Sequence, residues 1–86
     1  MNRKEEIDSY LQELAKFLKN RFCSPFQIKG IEVSRNDYAK KSGISQGTLS
    51  RLSEGNGYDV PISTIYRLCS FENVSVKDFF TEFEAT

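Results

Sequence analysis

The sequence predicts an all-α fold: five helices in a compact arrangement, with an extended loop after the first. Three observations carry that expectation. Apolar residues recur at intervals of three and four through the first 22 residues. A segment of some twenty residues places serine caps on either side of a turn glycine. Two later apolar stripes are introduced by Pro61 and Ser75, residues suited to helix starts.

The first helix is expected from about Lys4 to Phe22, where Ile7, Leu11, Leu14, Leu18 and Phe22 share one face. Tyr10 and Phe17 widen that face, and Glu5, Glu6, Glu13, Lys16 and Lys19 occupy the remainder. Such a stripe serves to pack on the chain's own core rather than on a second copy. Cys23 to Val33 contains Pro25 and Gly30 and loses the helical period, so it reads as an ordered loop. Phe26, Ile28, Ile31 and Val33 are its expected anchors; their partial alternation would suit a strand, but no partner strand is evident.

Ser34 is placed to cap a second helix ending near Ser42, with Asp37 at its positive end. Gly43 suits a left-handed turn, Ile44 inserts beneath it, and Ser45 caps a third helix beginning at Gln46 and ending near Gly55. Asn56 to Asp59 form a turn. Pro61 falls in the first turn of a fourth helix with Ile62, Ile65, Tyr66, Leu68 and Cys69 on its apolar side, and Asn73 ends it. Ser75 caps the last helix, whose Val76, Phe79, Phe80 and Phe83 are expected to close the core with some aromatic surface left over.

Eighty-six residues allow one domain, expected to span 1–86, and leave little room for a deep catalytic cleft. No stretch approaches the roughly 18 to 20 apolar residues that cross a bilayer, and MNRKEEIDSY lacks the pattern of a signal peptide. No membrane association is expected, and the location is expected to be cytoplasmic. Two cysteines without any histidine cannot supply the four ligands of structural zinc, and Cys23 and Cys69 read as buried, reduced side chains. The missing histidine removes the commonest general base, and no phosphate-binding glycine loop is present. Neither catalytic residues nor a metal or cofactor are expected, and the chain does not read as an enzyme.

Formal net charge is zero, with 12 basic and 12 acidic residues, so only a local positive field is available to nucleic acid. Residues 34–58 hold Arg35, Lys40, Lys41 and Arg51 against Asp37 and Glu54, a local balance of +2. Residues 72–86 hold Lys77 against Glu72, Asp78, Glu82 and Glu84, a balance of −3. Lys40 and Lys41 are read as a solvated face. Within the pair of short helices, at about 34–54, Ala39 permits close approach, and Tyr38, Ile44, Leu49 and Leu52 point to shared packing. Gln46, Thr48, Ser50 and Arg51 are left for an exposed face.

Through SRNDYAKKSGISQGTLSRLSEG and STIYRLCSFENVSVKDFF, spanning roughly residues 33 to 80, the chain resembles the lambda-repressor-like helix-turn-helix regulators of the Xre/Cro family. The resemblance implies a helix beginning at Gln46 that enters the major groove of double-stranded DNA. By the same resemblance Gln46 and Arg51 read bases, Thr48 meets a thymine methyl or a phosphate, and Ser50 lies on the reading face. Gly47 stands where relatives often carry a reading side chain, and offers only close backbone approach. Arg35, Asn36, Ser45, Asn56 and Tyr58 are the implied phosphate contacts. The chain departs from the family pattern in its longer connection after the first helix, an added residue after Gly55, and Glu72 at a position often apolar. The implied function is a transcriptional regulator, a repressor by obstruction of polymerase, binding a pseudo-palindromic operator as a homodimer. The alternative is a protein-interaction module, or an antitoxin-like component of a mobile-element system that binds a protein partner and binds DNA weakly; zero net charge and the C-terminal phenylalanines favour it.

Overall fold

The computed structural model describes residues 3–56 and 59–86. Five α-helices and one short hairpin make up the described residues: α1 (Arg3–Leu18), β1 (Gln27–Ile28), β2 (Ile31–Glu32), α2 (Arg35–Ser42), α3 (Gln46–Glu54), α4 (Ile62–Phe71) and α5 (Val76–Glu84). The all-α expectation therefore holds, with one correction in the connection after α1.

That connection is not a plain loop. The strand partner missing from the sequence reading lies four residues downstream: Gln27 pairs with Glu32 and Ile28 with Ile31 in an antiparallel hairpin. Lys29 and Gly30 both take positive φ, 53° and 80°, which is the twist of a tight two-residue hairpin turn and the reason glycine stands second. The Val33 amide donates to the Phe26 carbonyl at 2.9 Å and closes the base. Of the four expected anchors, Phe26 is buried and Ile28 and Val33 are half-buried, but Ile31 is 70% exposed. Ile28 and Ile31 are direct partners and share a face of the hairpin, but only Ile28 packs against the core.

The first helix continues past Leu18 as a π-helical turn, Lys19–Cys23. The wider turn brings residues five apart onto one face, and Leu18 and Cys23 are both buried. Only the C-terminal half of α1 reaches the core: Leu14, Ala15 and Leu18 are buried, whereas residues 3–10 are exposed. Ile7, expected on the packed stripe, is 51% exposed, because α5 ends opposite Tyr10. The Tyr10 ring meets Phe83 edge-on at 5.3 Å, and its hydroxyl donates to Glu84 Oε1 at 3.4 Å.

Aromatic packing joins the two ends of the chain. Phe17 lies 5.4 Å from Phe79 and 5.3 Å from Phe83, and Phe22 stacks on Phe79 at 5.7 Å. Phe79 and Phe83 are buried against α1, while Phe80 is half-buried and meets Phe79 and Phe83 edge-on, so part of its ring is the aromatic surface that remains on α5. On α4, Ile65, Leu68 and Cys69 are buried as expected, but Ile62 and Tyr66 are 65% and 62% exposed. They occupy the edge of the apolar arc, beyond the reach of the core. Pro61 precedes the helix rather than entering it, and its carbonyl accepts from Thr64 and Ile65.

Tyr38 is the seam between the motif and the rest. Fully buried, its ring sits 5.2 Å from both Phe26 and Phe71, and its hydroxyl donates to Glu72 Oε2 at 3.0 Å. Glu72, at the end of α4, also faces Arg21 at 3.7 Å; Arg21 in turn reaches Glu82 at 3.3 Å. The carboxylate at a position often apolar is thus a three-way tie among α2, α4 and the π-helical turn. Burial pushes its pKa above the ordinary carboxylate range, while the Tyr38 hydrogen bond and Arg21 pull it back. Cys23 and Cys69 are free and buried. Burial, reinforced by the Glu72 charge, pushes the Cys23 thiol up to about 12.

Candidate nucleic-acid interface

α2 and α3 are built by the same local device. Ser34 Oγ accepts the Asp37 amide at 3.1 Å, and Ser45 Oγ accepts the Thr48 amide at 3.2 Å. Each cap satisfies one of the first-turn N–H groups and leaves others without an intrahelical acceptor, which gives two exposed helix starts a partial positive charge. Between the helices, Gly43 has φ 77° and donates its amide to the Ala39 carbonyl at 3.0 Å. A side chain would be strained in that left-handed conformation. Ile44, held by its amide on Ser42 Oγ at 3.2 Å, drops into the core.

α3 is divided along its length. Leu49 and Leu52 are buried, while Gln46, Gly47, Arg51 and Glu54 are exposed and Thr48 and Ser50 are half-exposed. With 100° per residue, Gly47, Arg51 and Glu54 fall on the side away from the two leucines, with Gln46 and Ser50 at its margin. Beyond Gly47 there is open space: a Cβ added there would meet nothing within 4 Å. At the far end, α3 stops at Gly55, and the stem of Lys19 crosses so closely that a Cβ on Gly55 would lie 2.8 Å from Lys19 Cδ.

Across the turn, Gln46 Nε2 donates to Asn36 Oδ1 at 2.8 Å. The structure therefore brings together Gln46, expected to read bases, and Asn36, expected to touch phosphate. Ser45 Oγ and Thr48 Oγ1 also pair, at 2.9 Å, so the Thr48 hydroxyl is turned toward the start of its own helix. Arg35 is exposed in the first turn of α2. Asn56 lies past the opposite end of α3, where Nδ2 donates to Glu54 Oε2 at 3.3 Å, and is not part of the Asn36–Gln46 group. Tyr58 lies outside the described residues.

Two capped helices at a glycine turn, one presenting a polar face, are what a helix-turn-helix requires, and the comparison with protein families is specific. The family model of the Cro/C1-type HTH DNA-binding domain matches residues 13–83. The chain belongs to that family. The match takes in the buried half of α1 and all of α4, and so extends twenty residues further toward the N-terminus than the resemblance legible in the motif alone. No curated protein and no solved structure matches the chain.

In this Cro/C1-type domain, three residues acquire positions that sequence reasoning did not give them. Asn36 holds the amide of Gln46, a pairing between residues ten apart for which no periodicity is a signal. Glu54 shares the exposed face with Arg51, a placement readable from their spacing of three. The aliphatic stem of Lys19 covers the end of α3 at Gly55; the π-helical turn that begins at Lys19 leaves no mark in the apolar pattern. Among the described residues no group of histidine, cysteine, aspartate and glutamate is arranged to hold a metal, and no helix is long and apolar enough to cross a membrane.

Proposed function

We propose that this domain is a sequence-specific double-stranded DNA-binding transcriptional regulator that reads the major groove with the exposed face of α3. The observation that supports this most is the Asn36–Gln46 hydrogen bond. An amide carries two N–H groups and one carbonyl oxygen. With one N–H of Gln46 occupied by Asn36, the second N–H and the oxygen remain. Those two are the donor and acceptor that match N7 and N6–H₂ of adenine. Asn36 Nδ2 is left for a phosphate, so one side chain fixes register and orients a reader at once. Arg51 reads guanine, Thr48 and Ser50 contact the bases beside it, and Gly47 lets the backbone approach. Arg35 and Ser45 at the helix starts, with Asn56 and Tyr58 after α3, contact phosphate.

The protein acts in the cytoplasm as a homodimer on a pseudo-palindromic site and represses by obstructing polymerase, without catalysis; residues 1–86 work as one domain. Few cations line the face, so nonspecific affinity is modest and specificity depends on base contacts. Selection from random duplexes at fixed salt tests the proposal. The expected result is an enriched half-site repeated with two-fold symmetry at about one helical turn; no enrichment over the starting pool would refute it.

A further inference from the structure

We infer that the groove between α1 and the end of α5 is a docking site for an arginine-bearing basic segment of a partner protein. The groove shares no residue with the exposed face of α3 or with the starts of α2 and α3, so it stands apart from the DNA reading.

Rings and carboxylates build it together. Tyr10, Glu13, Phe17 and Asn20 follow one line along α1 and the turn that continues it, at spacings of three and four. Phe83 and Glu84 line the other side, from α5, and the space between is about 510 Å³. Phe83 lies 5.3 Å from both Tyr10 and Phe17, yet Tyr10 keeps 40% of its surface exposed. Packing within the chain therefore leaves part of the aromatic cluster open to the groove.

Charge selects the occupant. Glu13 is exposed and has no ion-pair partner among the described residues. Glu84 is exposed as well; its Oε1 accepts the Tyr10 hydroxyl at 3.4 Å, and its Oε2 has no hydrogen bond among the described residues. The stretch that carries it, residues 72–86, has a balance of −3. An anionic partner, DNA included, is repelled from this rim, and an apolar segment would bury carboxylates with nothing to neutralise them. A cation suits both parts of the groove, since ring faces and carboxylates each attract it. Arginine fits better than lysine, because a planar guanidinium stacks on a ring while its edge donates two parallel N–H bonds to a carboxylate. Lys16 is the one cation among the described lining residues. It makes no ion pair among the described residues, and its long stem lets the ammonium swing out to water.

Length argues for a peptide over a free small cation. From Tyr10 to Asn20 the helix rises about 15 Å, a distance that an extended chain crosses in about four or five residues.

The test follows amide NMR shifts of the full chain on adding three probes at one salt concentration. They are a capped pentapeptide of alternating arginine and alanine, its lysine counterpart, and N-acetylarginine amide. The arginine pentapeptide is expected to shift amides around Tyr10, Phe17 and Phe83 and to bind more tightly than the other two. Glu13→Gln and Glu84→Gln should each weaken it about two- to fivefold, and Tyr10→Leu about two- to tenfold. Lys16→Glu should tighten it about two- to fivefold, a gain that damage to folding does not produce. Shifts elsewhere, none at millimolar pentapeptide, or affinity unchanged in both glutamate variants overturn the inference. So does equal binding of the lysine peptide, or of N-acetylarginine amide, which would make the occupant any cation or a small one. Groove shifts that appear on concentrating the free chain without peptide make a second copy the occupant, and overturn it too.

Discussion

Removing one hydroxyl, in Tyr38→Phe, isolates the tie that holds the helix-turn-helix to the rest of the chain. The phenol is fully buried and its ring contacts with Phe26 and Phe71 survive the change, so packing is nearly conserved. What disappears is a 3.0 Å hydrogen bond to a carboxylate. Hydrogen bonds to charged groups contribute about 1.5–3 kcal/mol, and most of that is the cost of leaving the charged partner unsatisfied. Here Glu72 keeps 26% of its side chain exposed and has Arg21 at 3.7 Å, so water and the guanidinium recover part of the loss. The expected cost is thus about 1–2 kcal/mol, which for a domain of this size lowers Tm by roughly 5–12 °C. Thermal unfolding followed by circular dichroism measures it. The cost should shrink when Tyr38→Phe is made in a Glu72→Gln background, because the charge that needed the bond is gone. A Tm within about 2 °C of wild type would refute the reasoning, as would an equal cost in both backgrounds.

Further outcomes follow from burial and backbone. Glu72 has its pKa raised chiefly by burial, so the folded state holds that proton more tightly than the unfolded chain. The stability linked to it is fully present below the unfolded value and is lost as pH rises through the folded value. Wild type should therefore gain Tm relative to Glu72→Gln on acidification from neutrality; a relative loss contradicts burial as the leading cause. Cys23, pushed up to about 12, has a thiolate fraction near one in ten thousand at about pH 8. Native protein should resist iodoacetamide until unfolded by urea, as judged by mass spectrometry, and rapid native labelling of Cys23 counts against its burial. Gly47→Ala should raise Tm by a few degrees, since alanine favours a helix by up to about 1 kcal/mol and the added methyl meets nothing. The same substitution should weaken binding to selected DNA, because the methyl occupies the backbone's approach; equal or tighter binding removes Gly47 from the interface.

Those outcomes rest on features that were unequally legible in the sequence. Helix starts and stops are local, and Ser34, Gly43, Ser45, Gly55 and Ser75 each act within four residues of themselves, so their roles could be read directly. The leucines of α3 were legible for the same reason: periodicity specifies which side is apolar. It does not specify how much of that side another element covers. Ile7, Ile62 and Tyr66 lie on apolar faces and are exposed, because cover depends on where α5 ends and how α4 is rotated. The hairpin escaped because two-residue strands are too short for alternation to register, although Lys29-Gly30 is a turn-former in retrospect. Glu72 was visible as an oddity, and only its partners Tyr38 and Arg21, 34 and 51 positions earlier, explain it. On the candidate interface, the identities of the exposed residues could be read from the helix; that Asn36 orients Gln46 could not.

The most direct measurement is the affinity of wild type and Gln46→Ala for the selected duplex and for each of its single-base-pair substitutions, at one salt concentration. If Gln46, held by Asn36, meets a base edge, the variant loses roughly 5- to 150-fold on the selected site and ceases to discriminate at one A·T pair only, with binding to unrelated DNA unchanged. Retention of wild-type discrimination at every pair would contradict the account.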